Sequence, residues 1–230
     1  MEKKRISVVV PALEEAGGIV AMLERLVPLR ARGHEVILVD GGSRDGTVDV
    51  AGPLVDRVLT SAPGRARQMN AAAAVARGDV LWFLHADTLA PPEAGAAIQA
   101  ALLGGYRWGR FDVRLSGRAA ILRVIERMMN LRSCLTGIAT GDQGMFVESS
   151  LFEAAGGFPD QPLMEDIELS RRLKRMAGRP ACLKPALTTS SRRWERDGVI
   201  ATVLLMWRLR LGYFLGVPPA RLHARYYGGS

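Results

Sequence analysis

Cysteines, aromatics and long uncharged runs are all scarce in this 230-residue sequence. Cys134 and Cys182 are the only cysteines, too few for a disulfide framework or a thiolate metal cluster; they read as packing residues and suit a reducing cytoplasm. The longest stretch free of Asp, Glu, Lys and Arg runs from Ala94 to Tyr106, and its glycines and Gln99 make it a poor membrane-spanning helix. The apolar run Ile6 to Val10 behind Lys3-Lys4-Arg5 is stopped by Pro11 and two glutamates, too soon for a signal-peptide core, which points away from secretion. Neither a G-x-G-x-x-G spacing nor a Walker A loop with its lysine is present, so dinucleotide oxidoreductases and P-loop enzymes lose ground. Acidic residues are scarce at one end: residues 171–230 hold thirteen Lys or Arg against Glu195 and Asp197, a local +11, whereas the whole chain carries +8. Charge of that kind meets nucleic acid, anionic lipid or a phosphorylated substrate, and does not choose among them.

What is present describes a globular chain, with 48% hydrophobic and 23% charged residues. Its length suits one α/β domain with a tail. Ile6 to Val10 and Glu35 to Val39 are compact apolar runs that read as buried parallel strands, with helical spacing between them from Gly18 to Arg30. A third strand is expected at Val55 to Leu59, a helix at Ala66 to Arg77 and a fourth strand at Val80 to Leu84. Beyond Pro91-Pro92 we expect a helix at Glu93 to Leu103, a strand at Tyr106 to Leu115 and a helix near Ala119 to Leu131. Further on come a short strand at Met145 to Val147, a helix at Met164 to Met176 and an apolar helix at Val199 to Leu215. This alternation implies a mainly parallel sheet flanked by helices, with ligands at the carboxyl ends of the strands. We divide the chain into a domain of residues 1–195 and a C-terminal helical extension, 196–230, packed on it or at a membrane or subunit surface.

Polar motifs sit where those strands end: Pro11-Ala12-Leu13-Glu14-Glu15, Asp40-Gly41-Gly42-Ser43-Arg44-Asp45-Gly46-Thr47, Gly64-Arg65-Ala66-Arg67-Gln68-Met69-Asn70 and His85-Ala86-Asp87-Thr88. Further on come Gly141-Asp142-Gln143-Gly144, Met164-Glu165-Asp166 and Ser190-Ser191-Arg192-Arg193-Trp194. In order and spacing they resemble family 2 glycosyltransferases of the GT-A fold, over nearly the whole chain. The arginine-rich forms of two of them resemble a small bacterial branch of that family.

The resemblance implies that Pro11, Glu14 and Asp40 hold the base and ribose of a nucleotide-sugar donor. A carboxylate accepting a uracil N–H and ribose hydroxyls favours uridine, hence a UDP-sugar. It also implies a divalent cation, Mn²⁺ or Mg²⁺, to neutralise the leaving diphosphate. The family's Asp-x-Asp is here His85-Ala86-Asp87. Asp87 matches the metal-ligand position, and His85 is open to a second-shell, ligand, ribose-contact or merely structural role. Gly64 and Arg65 open a helix where a diphosphate is expected; of Arg65 and Arg67, two residues apart, one is expected to be surface charge.

Asp166 is the implied general base, supported by Glu165, giving a single displacement with inversion. Adjacent carboxylates in a dry cleft should drive one pKa up. The implied acceptor contacts are Asp142, Gln143, Arg193 and Trp194. For Asp142 a plain turn, and for Trp194 plain packing, are equally compatible with the residues. Ser190 stands where processive relatives carry Gln, so processive synthesis is not implied.

Two other classes remain open. A nucleotidyltransferase would carry a glycine-rich basic loop after strand one, where this chain has Ala12-Leu13-Glu14-Glu15-Ala16. A non-catalytic sugar-nucleotide or membrane-binding module leaves Asp87, Glu165 and Asp166 without purpose. The expected partners are a nucleotide sugar and an unidentified, lipid-like acceptor, with no nucleic acid. The expected place is the cytoplasm, with peripheral contact at the inner face of the membrane and a homodimer both open. In the tail, Arg208 and Arg210 lie about 200° apart on a helix, which by itself leaves the polar face poorly defined and favours packing of Val199 to Leu215 against the domain or a second subunit.

Overall fold

The computed structural model describes residues 3–228. In chain order the first half comprises β1 (Ile6–Ala12), α1 (Ile19–Glu24), α2 (Val27–Arg30), β2 (Glu35–Asp40), α3 (Thr47–Ala51), β3 (Arg57–Thr60), α4 (Arg65–Ala73), β4 (Val80–Phe83), β5 (Thr88–Leu89) and α5 (Ala94–Leu103). The second half comprises β6 (Trp108–Leu115), α6 (Ala120–Thr136), β7 (Phe146–Glu148), α7 (Ser149–Ala154), α8 (Glu165–Ala177), β8 (Ala181–Thr189), α9 (Arg192–Asp197), α10 (Val199–Phe214) and α11 (Pro219–Tyr227).

The strands form one eight-stranded sheet in the order β3-β2-β1-β4-β7-β6-β8-β5. β1, β2, β3 and β4 are mutually parallel, and β7 lies antiparallel between β4 and β6. Two reversals restore direction, so β6 and its parallel neighbour β8 run with the first four strands. Asp40, Phe83, Leu115 and Thr189 therefore end at one edge. Every residue of β1, β2 and β4 is buried because both faces are covered. Val8, Val10, Leu38 and Trp82 face α1 and α5, whereas Val9, Ile37, Leu81 and Phe83 face α4, α7 and α8, the alternation that a strand imposes.

Several local expectations are corrected. The helix expected over Gly18 to Arg30 is two short helices, with Pro28 inside the first turn of the second. The alanine-rich helix stops at Ala73 rather than Arg77. The nine-residue strand β8 was not foreseen, because Lys184 and Pro185 break its pattern; the register jumps from Phe111–Leu183 to Asp112–Ala186, a bulge that takes the proline out of the ladder. Cys134 and Cys182 are not separate packing residues: the last turns of α6 and the start of β8 bring their Cα atoms to 5.9 Å and the two form a disulfide. That pairing removes the ground on which cysteine usage pointed to a reducing compartment.

The C-terminal extension does not stand apart. Leu209 of α10 and Leu222 of α11 are buried against Leu163 and Met164, immediately ahead of α8.

Candidate active site

The carboxyl edge of the sheet gathers the polar motifs. At the end of β2, Asp40 is buried; its Oδ2 accepts the amides of Gly42 and Ser43 at 2.9 Å each, and its Oδ1 has no hydrogen-bond partner. A buried carboxylate oxygen with no partner is costly unless a ligand supplies the donor. Pro11 lies buried in β1, paired with Val39, one residue before Ala12 pairs with Asp40. Glu14 takes a left-handed backbone (φ 56°) and accepts the Arg44 amide at 2.7 Å, joining the two loops that follow β1 and β2. It is thus neither a free first-turn residue nor buried in the cleft.

The segment opening α4 has a largely architectural role. Gln68, buried, donates to the carbonyls of Ala12 and Val39 at 2.8 and 2.9 Å, tying α4 to the ends of β1 and β2. Asn70 brackets Phe158 with two backbone bonds. Arg67 is the surface charge of the pair, exposed and joined to Asp160 at 2.8 Å. Arg65, behind Gly64 (φ 132°), turns inward to Glu165, Nε to Oε1 3.6 Å.

Beyond β4, Ala86 is buried and His85 faces Gly141, where a Cβ would lie only 2.6 Å from its Nε2; only glycine fits there. Burial first, then the charge of Arg65, pushes the His85 pKa down to about 3, so it is neutral. Asp87 and Glu15 share the guanidinium of Arg192, at 3.9 and 3.6 Å. Burial, then the neighbouring Asp87 charge, raises the Glu15 pKa. The three line a cavity of about 380 Å³ together with Ser116 and Ser190. Two carboxylates beside each other are oxygen donors suited to a hard divalent cation, which in nucleotide sites takes one or two protein carboxylates and completes its shell with phosphate oxygens. Among the described residues no cluster of three or more His, Cys, Asp or Glu could hold an ion alone.

Asp166 opens α8. Its Oδ2 accepts the Gly141 amide at 2.8 Å and its Oδ1 the Ile167 amide at 2.7 Å, fixing the carboxylate in one orientation. Glu165 is buried, and its pKa is raised to about 7 by burial and then by Asp166, partly offset by Arg65. The rise expected for the pair thus shows on Glu165. Met164, just ahead, holds a left-handed backbone (φ 68°) that a non-glycine residue adopts only under constraint; the contacts from α10 and α11 supply it.

Four residues were expected at the acceptor, and the structure separates them. Asp142 keeps a buried Oδ1 without a partner, and its pKa is raised by burial. Gln143 is fully buried and closes a capping box with Thr140, so its side chain belongs to the scaffold. Trp194, half-buried, packs on Leu115, Leu122 and Ile125. Arg193 has a buried Nη1 without a hydrogen-bond partner and lays its guanidinium 3.8 Å from the centre of the Tyr226 ring.

Sequence reasoning missed four contributors, of which Glu15 stood inside a quoted motif without a role of its own. Arg132 of α6 is largely buried and acts by its charge on Asp142 and Asp166. Tyr226 of α11 lies within the fields of Arg193, Arg65 and Asp142. Arg192 stood beside a recognised pair of residues, but nothing in the sequence tied it to Asp87. Arg132 and Tyr226 lie on helices with no local signal, and only folding brings them to Asp142.

Comparison with known proteins bears on the family and the fold. The family model for glycosyl transferase family 2 matches residues 7–134, more than half of the chain. The undecaprenyl-phosphate 4-deoxy-4-formamido-L-arabinose transferase of Aeromonas hydrophila is 31% identical over 114 residues, 45% of this chain and 35% of that one. The chain spans between 35% and 62% of the length of the curated relatives it matches. Among solved structures, the mannosyltransferase PcManGT from Pyrobaculum calidifontis, in complex with GDP-Man and Mn²⁺, superposes with a TM-score of 0.67 at 20% identity, covering 92% of this chain and 62% of that one. Glucosyl-3-phosphoglycerate synthase from Mycobacterium tuberculosis, with Mn²⁺, UDP and glucosyl-3-phosphoglycerate, also gives 0.67, at 22% identity, covering 94% and 81%. The architecture is that of the GT-A glycosyltransferases.

Proposed function

The chain belongs to glycosyl transferase family 2, and on that footing we propose that it transfers a sugar from a nucleoside diphosphate sugar, a UDP-sugar first of all, to an acceptor hydroxyl with inversion at the anomeric carbon. The observation that carries the reading is the unpartnered, buried Oδ1 of Asp40 at the end of β2. A ribose hydroxyl or a base N–H is the donor that would satisfy it.

Asp87 and Glu15 are the carboxylates that would hold a divalent cation, with Arg192 as the counter-charge between them. Such a cation supplies neutralisation of the leaving diphosphate. Arg65 adds a fixed positive charge close to the base pair of carboxylates. Asp166, held by two backbone amides, takes the proton of the acceptor hydroxyl as that oxygen attacks the anomeric carbon. Glu165 is still half protonated near pH 7 and so limits the second negative charge beside Asp166. Asp142 and Arg193, each with a buried polar atom unpaired, are the acceptor-side contacts.

The test needs no acceptor. UDP-, GDP- and dTDP-sugars are compared for thermal stabilisation with and without Mn²⁺, since a ligand that binds the folded state raises its melting temperature. UDP-sugars with Mn²⁺ should give the largest shift, and Asp40→Asn should abolish it. No shift with any sugar nucleotide would overturn the reading.

A further inference from the structure

Two neighbouring helices each present an exposed apolar stripe. On α6 the stripe is Ile121, Val124, Met128, Leu131 and Leu135, spaced by three or four residues along one face and 49–61% exposed. On α10 it is Ile200, Leu204, Trp207, Leu211 and Phe214, with the same spacing and 53–78% exposed. The opposite face of α10 is also apolar and buried, through Leu209 and its neighbours. A helix that is apolar on two faces requires cover on both. The protein covers one.

The two helices meet in one apolar cluster. Leu122, Ile125 and Met129 of α6 share that cluster with Val199 and Val203 of α10; at about 100° per residue the α10 positions lie about 60–100° from its stripe's axis and the α6 positions about 80–140° from theirs. The outer margins are cationic. On the same geometry Arg208 stands about 80° from the α10 stripe's axis and Arg127 about 80° from that of α6, on the sides away from the contact. The angular relation that left the α10 polar face undefined in sequence is thus resolved: the apolar stripe runs between Arg208 and Arg210. Neither helix offers it a free carboxylate. Glu126, the one acid of α6, is buried and bonded to Arg123 at 2.8 Å, and residues 198–228 carry four arginines and no Asp or Glu.

We propose that the α6–α10 face docks on the surface of an anionic lipid bilayer, with the stripes at the acyl boundary and the flanking arginines at the headgroup phosphates. An apolar band edged by long basic side chains fits that interface, where their stems lie along the hydrocarbon and their charges reach outward. No helix among the described residues is long and apolar enough to cross a membrane, so the contact is peripheral. A second copy of the chain is the poorer occupant, because it would bring arginine margins together with no carboxylate to pair them. The inference is independent of the transfer chemistry, since vesicle binding requires no donor sugar.

Trp207 provides the reporter. Of the four tryptophans, Trp82 and Trp108 are fully buried and Trp194 is half-buried, whereas Trp207 is 61% exposed. The protein is floated with phosphatidylglycerol and with phosphatidylcholine vesicles at low and high salt, and its emission recorded. Binding to phosphatidylglycerol with a blue shift is expected, weakened by salt that screens the charges. Trp207→Phe should remove the shift but keep flotation. Leu211→Gln with Phe214→Gln should abolish flotation while leaving the melting temperature unchanged. Arg127→Gln and Arg208→Gln should each weaken partition by about fivefold. Absence of flotation with phosphatidylglycerol at low salt overturns the proposal. So does a parent protein that sediments as a dimer, binds no vesicle and becomes monomeric in the Leu211→Gln, Phe214→Gln variant.

Discussion

The strands up to β5 and the helices after β6 bury their apolar residues in different ways. β1, β2 and β4 are sandwiched between helices on both faces, with no apolar side left over. α6 and α10 are covered on one face only. The first region is therefore self-sufficient and holds the proposed donor end of the cleft through backbone geometry, such as the Gln68 clamp on Ala12 and Val39. The second builds the proposed catalytic end at a seam. Asp166 is oriented by the Gly141 amide, and the strained Met164 ahead of it is held by side chains arriving from α10 and α11. On the proposed function, donor recognition is local to the sheet, whereas the orientation of the proposed base depends on the C-terminal extension.

That contrast can be broken most directly by Asp166→Asn. Turnover should fall by about 10²–10⁴-fold, the usual scale for a lost general base, while nucleotide-sugar affinity stays at the parent value. Asp40→Asn should give the opposite split, with affinity lost first. Isothermal binding and turnover measured on the same two variants decide between one cleft with two separable ends and a single coupled site.

Leu222→Ala should cost roughly 2–5 kcal/mol of stability, as expected for a fully buried leucine, and should also lower kcat as Met164 relaxes. Leu38→Ala in β2 should cost a similar amount yet leave kcat per folded molecule unchanged. Equal effects on kcat would erase the distinction between the regions. Reduction of Cys134–Cys182, or Cys134→Ser, should destabilise by about 2–4 kcal/mol, since it frees a loop of 48 residues' separation between α6 and β8. Denaturant titration with and without a reductant measures it.

The pH dependence is smaller and carries two opposing signs. Glu165, raised from 4.5 to about 7, makes its full contribution below pH 4.5 and loses it as the pH rises to about 7. His85, lowered from 6.5 to about 3, stabilises above pH 6.5 and loses this as the pH falls towards 3. Between pH 4.5 and 6.5 the two oppose. Glu165→Gln should therefore uncover a steady loss of stability on acidification below pH 6.5 that the parent partly masks. The smallest effect should be Arg67→Ala, which breaks an exposed pair with Asp160 and should leave the melting temperature and turnover unchanged.

The first four strands, the positions of Asp40, Asp87 and Asp166, and membership of the family were legible in the sequence. Buried parallel strands write themselves as continuous apolar runs, and strand-end loops carry their polar residues contiguously. β8 was not legible, because Pro185 and Lys184 hide a strand that only the bulge opposite Phe111 and Asp112 can accommodate. Nor was the Cys134–Cys182 pairing, which needs α6 and β8 side by side. The sequence alone determined the order of the first four strands and which acidic and basic residues stand at the ends of the elements. Only the tertiary structure decided that Trp194 packs on the α6 cluster and Gln143 closes a capping box, that the charges of Arg132 and Asp142 act on each other, and that α6 and α10, each with an exposed apolar stripe, meet. Those relations lie between helices far apart in the chain, and periodicity describes only the helix it is read from.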